Sequence, residues 1–164
     1  MKKLYFISGT MGVGKSTICN KLKQELPRCV FLDGDNCWNM HPFIVNQETI
    51  DMVLDNICHL LNNFLQCSIY DNVVFCWVMH KQEIIDSILN QINLENCKLI
   101  NITLIADEKT IYKRLSKDIK DGIRTDDVIN RSLERIPLYN RLDTIKINTI
   151  NKSIDEIVLE IKNI

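Results

Sequence analysis

Gly9-Thr10-Met11-Gly12-Val13-Gly14-Lys15-Ser16 meets the pattern G-x-x-x-x-G-K-[ST] at every fixed position, with an apolar run before it and a helix-period segment from Lys15 onward. Glycines in such a turn let successive backbone N–H groups converge on phosphate oxygens, and the helix that follows adds the positive end of its dipole. The pattern predicts that ATP lies along Gly9, Thr10, Met11, Gly12, Val13, Gly14, Lys15, Ser16 and Thr17. Lys15 would reach the β- and γ-phosphates, Ser16 would ligate Mg²⁺ and Thr17 would touch the α-phosphate. A glycine-rich strand-to-helix turn without a ligand is the competing reading, but it leaves a lysine in the turn without a task.

Two carboxylates follow in Phe31-Leu32-Asp33-Gly34-Asp35-Asn36. Strand alternation puts Asp33 and Asp35 on one side, which suits ordering a metal-bound water and taking a proton from an attacking hydroxyl. A solvated Asp-Gly turn would use the same residues without chemistry. Further along, Lys113, Arg114 and Lys117 precede a polar stretch broken by Gly122, and Arg124, Arg131 and Arg135 follow. A guanidinium swung over the phosphates would stabilise charge on a transferring group, and Arg124, at the mouth of the stretch, is the first candidate. Arg114 could instead stack on the nucleotide base. If the segment after Thr125 is helical, Arg131 and Arg135 share a face, with Arg124 seven residues before Arg131 on the same side. The alternative is a solvated face paired with Asp121, Asp126, Asp127 and Glu134. Trp38, Met40, His41, Pro42 and Phe43 could wall an acceptor pocket or belong to the core. His80 could face substrate, though a helix cap or a solvent-facing residue is the commoner use. His59 falls in an amphipathic helix and is assigned no task.

The elements that must position these groups alternate from end to end. Strands are expected at Leu4–Ser8, Cys29–Asp33, Val73–Met79, Leu99–Ala106 and Ile145–Asn148, each a continuous apolar run of the kind found when both sheet faces are covered. Apolar residues from Ile50 to Leu65 and from Ile84 to Ile92 recur at three- and four-residue steps and read as helices between them. Ser153 and Glu156 form an S-x-x-E capping box for a last helix, and Asp107 reads either as a strand-end acid or, the commoner role, as a helix N-cap. The class is α/β, a five-stranded parallel sheet with helices on both faces, one domain over 1–164 and a short lid at about 117–135.

A net charge of −1 supplies no global field for nucleic acid or an anionic membrane, and no run reaches the length of a membrane span. The seven cysteines contain no C-x-x-C pair, and the apolar run after Met1-Lys2-Lys3 stops at Ser8-Gly9, too short for a secretory leader. A reduced cytoplasmic protein is the expectation.

Gly9–Thr17 and Leu32-Asp33-Gly34-Asp35-Asn36 together resemble the phosphate loop and second-strand acid motif of the small P-loop kinases, among them shikimate, gluconate and adenylylsulfate kinases and chloramphenicol phosphotransferase. The layout is similar over nearly the whole chain. The stretch from Asp121 to Ile164 also resembles uncharacterised bacterial members described only as nucleotide kinases. The resemblance implies the P-loop three-layer sandwich with sheet order 2-3-1-4-5, Asp35 as the substrate-side base, and Asp33 helping to position the metal beside Ser16. Where many relatives carry an acid near the end of the third strand, this chain reads Val73-Val74-Phe75-Cys76-Trp77-Val78-Met79-His80, so the metal must lean on Ser16, Asp33, Asp35 and water. The expected activity is transfer of the γ-phosphoryl of ATP to a small hydroxyl-bearing metabolite or nucleotide, with Lys15, Asp33, Asp35 and Arg124 carrying the chemistry. The alternatives are a regulatory or switch NTPase and a nucleotide-binding module without an acceptor. The Asn151-Lys152-Ser153-Ile154-Asp155 segment is one residue too long for a guanine-reading motif.

Overall fold

The computed structural model describes residues 1–164. β1 (Lys2–Ser8) runs into the glycine loop and α1 (Lys15–Glu25). β2 (Cys29–Asp33) leads through a 3-10 turn (Gly34–Trp38) to α2 (Gln47–Gln66), and β3 (Asn72–Trp77) to α3 (Gln82–Leu89). β4 (Cys97–Ile105) is followed by α4 (Glu108–Lys120) and α5 (Val128–Asn140), and β5 (Ile145–Asn148) by α6 (Ile154–Lys162). All four strand pairings are parallel, and the sheet order is β2-β3-β1-β4-β5. The five expected strands form with ends shifted by up to two residues, because the last apolar residue of a run need not keep a ladder partner.

Alternation along β1 sorts the core into two layers. Tyr5 and Ile7 face one side with Val74, Cys76 and Ile102, packed against Ile18 and Leu22 of α1, Leu115 of α4 and Val158 of α6. Leu4 and Phe6 face the other side with Val73 and Phe75, packed against Ile57 and Leu61 of α2 and Ile85 and Ile88 of α3. Phe6 and Phe75 meet at 4.9 Å between ring centroids with a 45° tilt, so cutting Phe6 back to Ala should cost roughly 3–5 kcal/mol.

Helix starts are fixed locally. The Ser153–Glu156 capping box opens α6, and Asp107 caps α4 by accepting from the Thr110 N–H at 2.7 Å, the commoner of its two readings. Asn46 and Thr49 form a further box at α2. All seven cysteines are free. No helix is long and apolar enough to cross a membrane.

The stretch from Lys117 to Thr125, expected to be irregular, is helical as far as Lys120, because Ile111, Leu115 and Ile119 continue the apolar face of α4 against the core. The irregular part is 121–127, exposed throughout, and α5 begins at Val128.

Candidate active site

Three strand ends converge at the carboxyl edge of the sheet. β1 delivers the glycine loop, β2 the acidic pair, and β3 Trp77 and then His80; in register, Ser8 lies beside Trp77 and Asp33 beside Cys76. Ligands bind at this edge in open α/β sheets.

The loop is shaped by what its neighbours permit. Gly12 has φ +79°, and a Cβ there would stand 2.7 Å from Cγ of Leu115, so both backbone and space demand glycine. Thr10 is buried and its hydroxyl donates to the Ser132 carbonyl at 3.1 Å, tying the loop to α5. α1 starts at Gly14 with no side-chain cap, which leaves its first-turn N–H groups to a ligand. Lys15 is only 8% exposed; its Nζ folds back to donate to the carbonyls of Gly9 (2.8 Å) and Thr10 (3.1 Å). Burial pulls its pKa below the usual lysine value, opposed by the nearby Asp35 and Asp33 carboxylates. A buried ammonium held only by neutral carbonyls is a cation without a full counter-charge, and phosphate oxygens would supply one.

Ser16 and Asp33 already face one another, with Ser16 Oγ donating to Asp33 Oδ2 at 2.5 Å. Asp33 also caps the 3-10 turn through the Asp35 N–H at 3.1 Å, which fixes its carboxylate between the two tasks. No group of three or more His, Cys, Asp or Glu side chains could hold a metal by itself. A hydroxyl and a carboxylate beside a phosphate site suit Mg²⁺, which takes one or two protein ligands together with phosphate oxygens and water.

Asp35 opens onto the same cleft. Asp35 is exposed at the cleft surface, yet partial burial among its neighbours raises its pKa, and Asp33 pushes further in the same direction. Lys15 and Arg124 pull it back. A carboxyl poised above the ordinary range is suited to accept a proton near neutral pH. Trp77 explains Gly34, where a Cβ would stand 2.6 Å from the indole Cγ.

The cleft encloses about 250 Å³ between Met11, Gly12 and Gly14 to Thr17 of the loop and Asp35, Arg114, Asp118 and Arg124. Arg114 is braced by three hydrogen bonds, to the Val13 carbonyl (3.0 Å), Thr149 Oγ1 (3.1 Å) and the Thr149 carbonyl (3.1 Å). Arg124 is held at the rim by Asp118 at 3.3 Å. Of the three downstream arginines, Arg124 and Arg131 share the wall of a pocket beside Met11, with Arg131 also paired to Asp127 at 3.1 Å, while Arg135, one turn further along α5, lines a separate cavity.

His80 neither caps α3 nor stands free in solvent. It is half-buried, its Nδ1 has no partner, and burial with Arg135 and Lys81 nearby holds its pKa below the ordinary imidazole value. Trp38 and Met40 are half-buried against the core, whereas His41, Pro42 and Phe43 are exposed, with the Phe43 ring 5.9 Å from Trp38. Sequence reasoning had assigned no site role to Asp118, Thr149, Ser132 or Trp77. The partners of Thr149 and Ser132 lie 35 and 122 residues away, so no local spacing signals them, and Asp118 meets Arg124 only because the chain bends after Lys120.

This sheet order, with a glycine-lysine loop after β1 and paired acids after β2, defines a P-loop nucleotide-binding α/β protein. The sequence profile of the AAA domain family matches residues 6–136, and the chain belongs to that family. No curated protein matches the sequence. Among solved structures, the gluconokinase of Sinorhizobium meliloti 1021 is similar at 17% identity and TM-score 0.67, over 98% of this chain and 89% of that one. The tunicamycin resistance protein of Deinococcus radiodurans is similar at 14% identity and TM-score 0.71, over 99% and 95%. Shikimate kinase from Acinetobacter baumannii, in complex with shikimate, is similar at 19% identity and TM-score 0.67, over 99% and 92%. The fold is that of the small P-loop kinases.

Proposed function

We propose that the protein is a small-molecule kinase that transfers the γ-phosphoryl of ATP to a hydroxyl group. One observation carries the reading: Asp35, its pKa raised by partial burial and by Asp33, shares a cleft with the glycine loop and Lys15. A nucleotide-binding module alone has no use for a poised base at the rim of its phosphate site. Similar structures include a gluconokinase and a shikimate kinase, which supports phosphotransfer as the reaction and leaves the acceptor to be identified.

In this account the loop N–H groups and Lys15 bind the triphosphate, with Lys15 exchanging its carbonyl partners for phosphate oxygens. Ser16 and Asp33 would hold Mg²⁺, which when bound neutralises phosphate charge. Asp35 accepts the acceptor's hydroxyl proton as the oxygen attacks. Arg114 keeps its in-plane N–H groups on the loop and on Thr149, leaving its flat faces available to the base. Segment 121–127, exposed and hinged at Gly122, closes as a lid and carries Arg124 from Asp118 to the transferring group.

The test is Mg·ATP turnover against a panel of hydroxyl compounds, with ADP and the phosphorylated product both measured. Product formation dependent on acceptor supports the reading. ADP release indifferent to every acceptor contradicts it.

A further inference from the structure

Beside the phosphate cleft lies a second cavity of about 480 Å³, within the range of small-molecule sites. Trp77, whose ring forms part of its wall, also stands against Gly34 between the two acids of the phosphate cleft. Seven of its eleven lining residues are hydrophobic, among them Trp38, Leu54, Trp77 and Ile84. The apolar character continues outward, since the lining residue Val45 is 57% exposed and Phe43, 67% exposed, has its ring 5.9 Å from that of the lining Trp38. Single exposed apolar residues need no explanation, but a run leading into an apolar cavity does.

The polar part of the wall is equally specific. Arg135 is half-buried and has neither a hydrogen-bond partner nor an ion pair, whereas Arg114, Arg124 and Arg131 are all engaged. His80, beside it, has an unpartnered buried Nδ1. Arg135 lies close enough to His80 and to the buried Tyr139 hydroxyl for its charge to act on both. Glu83, the acid on this wall, is exposed and makes no ion pair with it. A half-buried guanidinium without a protein partner, facing a largely apolar wall, is a ready partner for a ligand anion.

We infer that this cavity takes a predominantly apolar alcohol carrying one anionic group, with the apolar body between Trp38 and Trp77 and the anion on Arg135, rather than a polyhydroxylated sugar acid. A polyol would leave most of its hydroxyls facing hydrocarbon without partners. That the ligand is the phosphoryl acceptor rests on the kinase reading above; that it binds here does not.

The chain's two tryptophans both line this cavity, so tryptophan fluorescence read without nucleotide reports on it. The probes are 3-phenyllactate, 3-phenyl-1-propanol and gluconate, titrated without nucleotide, with ADP release under Mg·ATP measured in parallel. Phenyllactate should give a saturable change, phenylpropanol should bind about tenfold more weakly for want of the charged contact, and gluconate should give none. Arg135→Ala should erase the difference between the two aromatic probes. Val45→Ser, at an exposed position where the fold is not at risk, should weaken both. A saturable response to gluconate with none to phenyllactate overturns the inference, as does silence with all three. ADP release driven by gluconate alone overturns the ligand class and leaves the kinase reading intact. A fluorescence response to phenyllactate with no ADP release from any alcohol supports the ligand class and counts against the kinase reading.

Discussion

Replacing Lys15 by Ala separates what the lysine does for the fold from what it does for a ligand. In the free protein its Nζ satisfies two loop carbonyls, Gly9 and Thr10, at 2.8 and 3.1 Å. Losing two such bonds would cost about 1 kcal/mol each. That loss is offset by removing a buried ammonium, whose lowered pKa records the penalty of its own burial. The net change in the ligand-free protein should therefore be about 1 kcal/mol, or roughly 2–4 °C in Tm for a chain of this size. With Mg·ATP at a hundred times its Kd, the wild type should gain about 2.7 kcal/mol, a further 5–10 °C or so. If Lys15→Ala weakens binding about a hundredfold, the same ATP concentration adds only about 0.4 kcal/mol and the shift falls to about 1 °C. Thermal unfolding with and without Mg·ATP measures both numbers. Equal ligand-induced shifts in the two proteins would refute the assignment of the loop.

Arg124→Ala should lower kcat by about a thousandfold while changing the KM for ATP little, because the side chain is occupied by Asp118 before closure and acts only on the transferring group; steady-state kinetics decide, and a change within twofold contradicts it. The acidic limb of acceptor turnover should reflect Asp35 and lie above the ordinary carboxylate range. Because the folded pKa of Asp35 is raised, its protonation stabilises the fold; this contribution is complete below the unfolded value near 3.8 and is lost as pH rises through the folded pKa, so Asp35→Asn should stabilise the protein most above that pKa in pH-dependent denaturation. Gly12→Ala and Gly122→Ala share the positive-φ penalty of about 1–2 kcal/mol, but only Gly12 adds a 2.7 Å clash with Leu115, so urea midpoints should fall clearly further for Gly12→Ala.

The fold was legible because its signals are local. Continuous apolar runs marked the five strands, Ser153 and Glu156 marked the start of α6, and the glycine-lysine pattern marked the turn after β1. The sheet order came from the resemblance rather than from periodicity. Residues within one short segment were also readable as a set: the loop and the Asp33/Asp35 pair were expected side by side and stand so, with Ser16 on Asp33. What sequence could not supply was contact between distant segments. Thr149 braces Arg114 from 35 residues away, and Asp118 on α4 holds Arg124 across the bend after Lys120. The arginines at 124, 131 and 135 looked equivalent by spacing, and Arg124 and Arg131 do share a pocket wall, yet Arg135 lines a different cavity. His80 defeated the commoner reading because its burial depends on α5 and the Arg135 side chain, which a strand-end position does not reveal.

Acceptor-dependent phosphoryl transfer in Asp35→Asn, set beside wild type under Mg·ATP with the phosphorylated acceptor identified by mass spectrometry, tests the central claim most directly. The account predicts a stoichiometric product from the wild type and a loss of at least about a hundredfold in the variant, the typical worth of a positioned base, with ATP affinity preserved within a few-fold. Equal product formation by the two proteins, or no phosphorylated acceptor from the wild type, would contradict it.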